Sequence, residues 1–474
     1  MQTLELEDIQ GFIVRGYKHM QFSRFVLLMI TDAAAAKKFI NSISDVITNA
    51  ANVPNKADLP QTSLNLAFTS AGLKALGLNE KNMQHFTREF REGMTTEHRQ
   101  RLLGDFGRSA PKNWRWGGTT NDPVHLSLMI FGRNEDICMN YYRQLQQQFS
   151  NSGLQELMQL DGQTLSHNKE HFGYRDGISQ PTIIGSGRTG PSNDQIKPGE
   201  FVLGYKNEYD VFPDSPLLAA EQGDYNLLPT DAGGSGKKDL GRNGSYLVMR
   251  QLQQDVNSYW TFINNQTQNE DGTVNMEESL KLGAKMMGRW QSGAPVVKYP
   301  EKDPGAYSDD NDFGYMDLDN DGTKCPFGSH LRRSNPRDNF EDDGSKESWR
   351  LTKRHRIIRR ARLYGEPYEG SPTNLTPNGE VGLLFLCFNA DISRQFEFIQ
   401  YTWANFPKFK ELYNDPDPIT GVRETPEHGQ EQNFTIQDTP VSRVITDLQR
   451  HVHIRGGAYF FFPSITTIRY LTTI

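Results

Sequence analysis

Short apolar runs of strand length alternate with runs of helical period along this chain, and the alternation occurs twice. RFVLLMI (24–30) is strand-like, and GFIVRG before it extends the strand reading back over 12–30. Ala36, Phe39, Ile40, Ile43 and Ile47 then recur at helical spacing, which predicts a helix over 33–48. A strand over 64–68 is followed by Thr69, an N-cap residue for a helix ending near Leu76. VHLSLMIFG (124–132) predicts another strand, with a helix behind it over 134–150. The second round opens with GSYLVMRQL (244–252), then helices over 253–265 and 276–290. A turn around Pro377 and Gly379 leads into VGLLFLCF (381–388), and 392–403 reads as helix. This order implies an α+β fold whose halves carry similar elements, although no internal sequence repeat is visible. The Gly-, Pro- and Asp-rich stretch that starts at Lys169 separates the halves. The domain reading is therefore 1–168, a connecting segment 169–235, and 236–474.

Composition excludes several classes. The formal net charge of -7 over 474 residues argues against non-specific nucleic-acid binding, which needs a basic surface. No run of about 18 apolar residues suggests a membrane span. The polar, acidic start lacks a basic region followed by an apolar one, so no signal peptide is read there, and a cytoplasmic location is expected. Cys138, Cys325 and Cys387 are odd in number and far apart, which disfavours a disulfide framework or a CxxC metal site. Three stretches, 307–323, 339–346 and 413–437, read as solvated loops.

Three segments concentrate chemistry. CPFGSHLRRSNPR (325–337) places His330 beside Arg332, Arg333 and Arg337. A histidine next to a basic cluster suits a polyanionic cofactor such as one bearing propionates, and equally a solvated basic turn. HFGYRDGISQP (171–181) sets Asp176 between Gly173 and Gly177, as a tuned acid–base group or as a plain Asp-Gly turn. RHRIIRRARLYG (354–365) alternates as a strand, with Ile357, Arg359 and Ala361 on one face and Ile358, Arg360 and Arg362 on the other. An arginine entering an apolar pocket would be a fixed cation for an anionic ligand or transition state; a basic edge strand is the plain alternative. DLDNDG (317–322) imitates half of a calcium loop, but Gly328 stands where the bidentate Glu belongs.

Together, in their order and spacing, these segments resemble the dye-decolorizing peroxidases, in the larger, insertion-rich branch of that family. The resemblance covers most of the chain, including GEFVLGY (199–205) and the stretch 286–295. It implies two ferredoxin-like α+β domains with antiparallel sheets and one haem b, held mainly in the C-terminal domain. His330 would bind the iron and Asp391, in LLFLCFNADISRQFEFIQ, would hold the imidazole. Asp176 of the GxxDG element and Arg359 would act on peroxide from the other face, with Arg360 as the alternative register. Ile178, Ser179, Gln180 and Arg333 would contact the cofactor, and Leu383 and Phe385 would form the apolar distal wall. Ala361 stands where compact members often carry Asn.

The implied activity is reduction of hydrogen peroxide and oxidation of dye-like or other reducing substrates through a ferryl intermediate. Surface Tyr or Trp residues would relay electrons from reductants too bulky to enter. Asp176 would move the proton during O–O cleavage and Arg359 would stabilise charge, with activity favoured at acidic pH. The alternatives are a haem carrier or iron-release protein, which would need His330 but neither Asp176 nor Arg359, and a calcium-stabilised binding module. The oligomeric state is not readable from the sequence.

Overall fold

The computed structural model describes residues 3–53, 55, 58–340, 345–367, 372, 375, 379–423 and 432–474. Pro377, assigned to a turn above, lies outside them. The N-terminal half supplies strands β1 (Phe22–Ile30), β2 (Thr62–Phe68), β3 (Leu126–Gly132) and β4 (Leu154–Gln163). The C-terminal half supplies β5 (Ser245–Gln254), β6 (Ile358–Arg359), β7 (Arg362–Tyr364), β8 (Gly382–Asn389) and β9 (Val452–Phe462). Within each half the pairing is antiparallel, in the order β2-β3-β1-β4 and β9-β5-β8-β7, with β6 also on β8. Each half is thus a ferredoxin-like sheet. The two meet at both edges, where Phe68 pairs with Phe461 and Gln163 with Leu363, so the strands close into one barrel.

Closure explains the uninterrupted apolar strands. Phe25 and Leu27 of β1 point into the barrel with Met129, Phe131, Leu247, Met249, Phe388 and Phe460. Val26 and Leu28 point outward, under helices α1 (Ala33–Ile43) and α2 (Glu135–Phe149). Both faces exclude water, so alternation with polar residues is lost, and each fully buried side chain of this size contributes about 1.5–3 kcal/mol. The helices begin at side-chain caps: Asp32 accepts from the Ala35 N–H and Asn134 from the Ile137 N–H. In the second half Asp255 caps α3 (Val256–Gln266) and Asn275 caps α4 (Met276–Met287).

Two local expectations need correction. GFIVRG is not strand: Gly11–Val14 forms one helical turn that plugs the barrel end, with Phe12 and Ile13 fully buried. The segment after Ile392 is helical but wound as two π-helical pieces, Ser393–Glu397 and Ile399–Asn405. All three cysteines are buried and free. Among the described residues no helix is long and apolar enough to cross a membrane.

Candidate active site

A large cavity lies on the outer face of the C-terminal sheet, beneath α4, the π-helical segment and a short helix α5 (His330–Ser334). It holds about 1530 Å³ of unfilled space including its mouth, which suits a broad ligand better than a bare ion. The period of β8 builds one wall. Leu383 and Phe385 face the cavity, whereas Leu384 and Leu386 enter the barrel core. Ile178 and Ser179 of the connecting segment line it as well, as do Met287, Phe396 and Ile399.

His330 opens α5 and faces this space. Its Nδ1 donates to Oδ2 of Asp417 at 2.9 Å, which leaves Nε2 as the nitrogen with a free lone pair. The Asp417 side chain is fully buried, and its Oδ1 accepts from the Ile419 and Thr420 N–H groups at 2.8 Å each. Burial pushes the Asp417 carboxyl up. His330, the Thr420 N–H and Arg333 outweigh burial and hold it at about 2. Asp417 is therefore a fixed anion that sets the tautomer and orientation of the imidazole.

This corrects the assignment of Asp391. That residue follows β8 and caps the π-helical segment, accepting from the Arg394 N–H and pairing with its guanidinium at 3.3 Å. It opens onto a different cleft, with His85 and Asp214. Arg333 is corrected too. Its guanidinium is buried behind α5 and donates to the carbonyls of Trp403, Asp415 and Phe406, so it braces the loop that carries Asp417. Asp417 lies in NDPDPITG, inside a stretch that reads as a solvated loop. The one available signal was an Asp-Pro-Asp-Pro run too rigid for an idle linker.

Asp176 and Arg359 meet in the same cavity, Nη1 to Oδ1 at 2.6 Å. The loop bearing Asp176 turns through Gly173 at φ +97° and Gly177 at φ +79°, a backbone region that side-chain-bearing residues rarely occupy. Burial pushes the Asp176 carboxyl up, but Arg359 and the Gly177 N–H together hold it below its ordinary value. Arg359 sits on β6, whose alternation resolves the register. Ile357 and Arg359 face the cavity, while Arg360 turns to the barrel end and donates to the carbonyls of Phe12 and Ile13. Gln180 accepts from the Arg359 N–H at 3.0 Å and fixes that strand to the Asp176 loop.

Haem fits these residues. The imidazole nitrogen not engaged by Asp417 faces a mostly apolar space, and polar side chains of the lining carry buried atoms without partners among the described residues. Both side-chain polar atoms of Asn335 are buried and unpaired, and Arg356 uses Nη1 on Asp194 while its Nη2 is unpaired. Orphans of this kind cost about 1–3 kcal/mol each unless a ligand satisfies them, and propionates would accept from the two donors, the Asn335 amide and Arg356 Nη2. The DLDNDG segment does not form a cation site. The Asp319 carboxylate is taken by Arg332 at 2.8 Å and by the N–H groups of Lys324 and Cys325.

Residues 8–165 match the model of the DyP dimeric alpha+beta barrel domain, and residues 226–413 match that of the Dyp-type peroxidase C-terminal region. Peroxidase 2 of Mycetinis scorodonius is 31% identical, over 98% of this chain and 87% of its own length. The multifunctional dye peroxidase DyP2 of Amycolatopsis is 26% identical over 98% of this chain and 96% of its own. Among solved structures, a fungal dye-decolorizing peroxidase from Auricularia auricula-judae superimposes with a TM-score of 0.79 at 25% identity, covering 99% of this chain and 100% of that one. A dye-decolorizing peroxidase in complex with 2,6-dimethoxyphenol gives 0.77 at 26% identity, with 99% and 100% covered. The chain belongs to the DyP-type peroxidases, haem-dependent enzymes that use hydrogen peroxide to oxidise reducing substrates such as dyes.

Proposed function

We propose that His330 carries the haem iron, that Asp417 fixes this histidine, and that Asp176 and Arg359 act on peroxide in the same cavity. The observation that carries the reading is the convergence of the Asp417–His330 pair and the Asp176–Arg359 pair on one space. Bound haem supplies the redox centre that takes two oxidising equivalents from peroxide. The residues supply the rest. The Asp417 carboxylate keeps the Nδ1 proton in place and makes Nε2 a better donor. Asp176, ionised beside Arg359, accepts a proton at its free carboxylate oxygen and returns it to the departing oxygen. The Arg359 guanidinium stabilises negative charge as the peroxide bond lengthens. Ile178, Leu383 and Phe385 limit water beside that pair, while Asn335 and Arg356 anchor the propionates. Gln180 contributes by holding β6. Reductants too bulky for the cavity deliver electrons from outside it. A haem carrier would need His330 but not a half-buried Asp–Arg pair in the same space.

Asp176→Asn tests the reading. The variant should bind haem normally, and its activation by hydrogen peroxide, followed by stopped-flow absorbance, should slow by about 10²–10⁴-fold. An unchanged rate would remove Asp176 from the chemistry.

A further inference from the structure

Reduction of peroxide consumes protons as well as electrons: H2O2 + 2 e− + 2 H+ gives two H2O. A phenolic reductant that loses one electron and one proton outside the cavity sends the electron inward and leaves its proton in solvent. Two protons per turnover must then reach the cavity by another route. Asp176 is a single carboxyl, and Arg359 pins one of its oxygens.

A second cavity supplies a route. It is lined on its outer side by the exposed Lys18 and Asn168 and by Gln163. Its inner end shares Glu170, Asp176, Gly177, Arg359 and Leu383 with the haem cavity. Two carboxyls therefore border both spaces. Asp176 is the one described above. Glu170 starts the same loop, where its own N–H donates to the Tyr174 carbonyl at 2.9 Å. Its carboxyl accepts from the Phe172 N–H at 2.9 Å, the Tyr174 N–H at 2.8 Å and Gln254 Nε2 at 2.5 Å.

The two acids are built differently. Asp176 is paired with a guanidinium, whereas every hydrogen-bond donor to Glu170 is neutral. The groups around Glu170 add no cation at contact. Gln254 comes from β5, Tyr174 and Asp176 from its own loop, and Tyr259 from α3, where it bonds to the Tyr174 hydroxyl. Both tyrosines are pushed up by burial and stay neutral, and Arg359 on β6 is engaged by Asp176. Burial, with Asp176 as a neighbouring anion, pushes the Glu170 carboxyl up to about 7. Two acids whose environments drive them apart are suited to different proton tasks.

We propose that Glu170 is a proton-relay residue that takes protons from the side cavity and passes them to Asp176 during the reductive half of turnover. The proposal rests on the role given to Asp176. Glu170 acts through that residue and is not needed for cleavage of the peroxide bond, in which the proton passes between the two peroxide oxygens with no net uptake.

The test uses the haem-loaded full chain with Glu170→Gln, Glu170→Asp and Asp176→Asn. Gln254 has an unpaired Oε1 and can turn over to accept from the new amide, but the Phe172 N–H then faces an NH2 group, so the melting temperature of Glu170→Gln is read beside its kinetics. Glu170→Gln should leave activation by peroxide within about twofold, while turnover of a bulky dye at neutral pH falls about tenfold or more. Glu170→Asp should restore part of that turnover. Infrared difference titration gives a readout apart from activity: a protonated carboxyl that ionises near neutral pH, absent in Glu170→Gln and retained in Asp176→Asn. Loss of activation and turnover together with a lowered melting temperature would make Glu170 a loop clamp only and overturn the proposal. So would unchanged dye turnover, or a neutral-range carboxyl that survives Glu170→Gln. Normal activation of Asp176→Asn would instead defeat the underlying assignment of Asp176, a separable result.

Discussion

Replacing Asp417 by Asn would change one oxygen for an NH2 group and should reverse the tautomer of His330. Oδ1 of Asp417 accepts two backbone N–H groups, from Ile419 and Thr420, in a site closed to water. The amide oxygen of the variant must stay there, because turning the amide would set its NH2 against two donors. The NH2 group then faces His330 Nδ1, where the native carboxylate accepts at 2.9 Å. Two donors cannot share that line, so the histidine moves its proton to Nε2, the nitrogen that the proposed function assigns to iron. A hydrogen bond to a charged partner is worth about 1.5–3 kcal/mol. That range corresponds to roughly 10–100-fold in affinity, the usual cost of losing an outer partner of a metal ligand. Haem titration of the apoprotein, read by absorbance, should show weakening of that order and a loss of the histidine-ligated spectrum. Asp391→Asn serves as the control and should leave haem binding unchanged, since Asp391 bonds to Arg394. If Asp417→Asn binds haem as tightly as the parent protein with an unaltered spectrum, the tautomer argument fails.

Three further outcomes follow from the same contacts. Arg359 holds the Asp176 carboxyl below its ordinary range, so the base form is present above that lowered pKa and is lost only as pH falls through it. The rate of peroxide activation should therefore persist into acid, and in Arg359→Leu its acid limb should move to higher pH; a stopped-flow pH profile with an unmoved limb would contradict this. Arg360→Leu should leave that rate unchanged per folded molecule but lower stability by about 1–3 kcal/mol, because the buried carbonyls of Phe12 and Ile13 lose their donor; denaturant titration reads it. Arg356→Leu should weaken binding of haem but not of its dimethyl ester, and equal weakening of both would exclude a propionate contact at this residue.

The parts of the fold and site that were legible in the sequence are those set by short-range rules. The period of β1 and of α1 is local, and so is the alternation through 357–362 that sends Arg359 and Arg360 to opposite faces. Gly173 and Gly177 were legible because positive φ leaves little choice of residue. Closure of the barrel was not, because it depends on two edge pairs, Phe68 with Phe461 and Gln163 with Leu363, each nearly 200 residues or more apart. Asp391 and Asp417 show the same limit at the site. Both are single acids near a helical segment, and only the path of the chain after Asn405 decides which one meets His330. Arg333 was misassigned for a related reason. Its charge was visible, but the three carbonyls that consume it come from residues 70 to 82 positions away.

The distribution of rigid and irregular backbone around the cavity matches the roles proposed above for His330, Arg359 and Asp176. His330 needs one fixed direction for Nε2, and a helix start braced by a buried anion gives it. Arg359 needs a fixed charge, and a two-residue strand on the edge of β8 gives it. Asp176 must approach a ligand with its backbone, which calls for a glycine-flanked loop, and loops are the least rigid part of a protein. This loop is restrained instead at several points. Lys169 and Arg175 bridge across it, the Gly173 N–H donates to the Glu170 carbonyl, and the Asp176 N–H donates to the Asn168 carbonyl. Arg175 ties it outward to the His167 and Ser308 carbonyls. A loop so restrained can hold a carboxylate to the tolerance of a helix or strand, and a shift of about 1 Å at such a group can cost 10²-fold in rate. The restraints therefore belong to the machinery of the site as much as the acid they position.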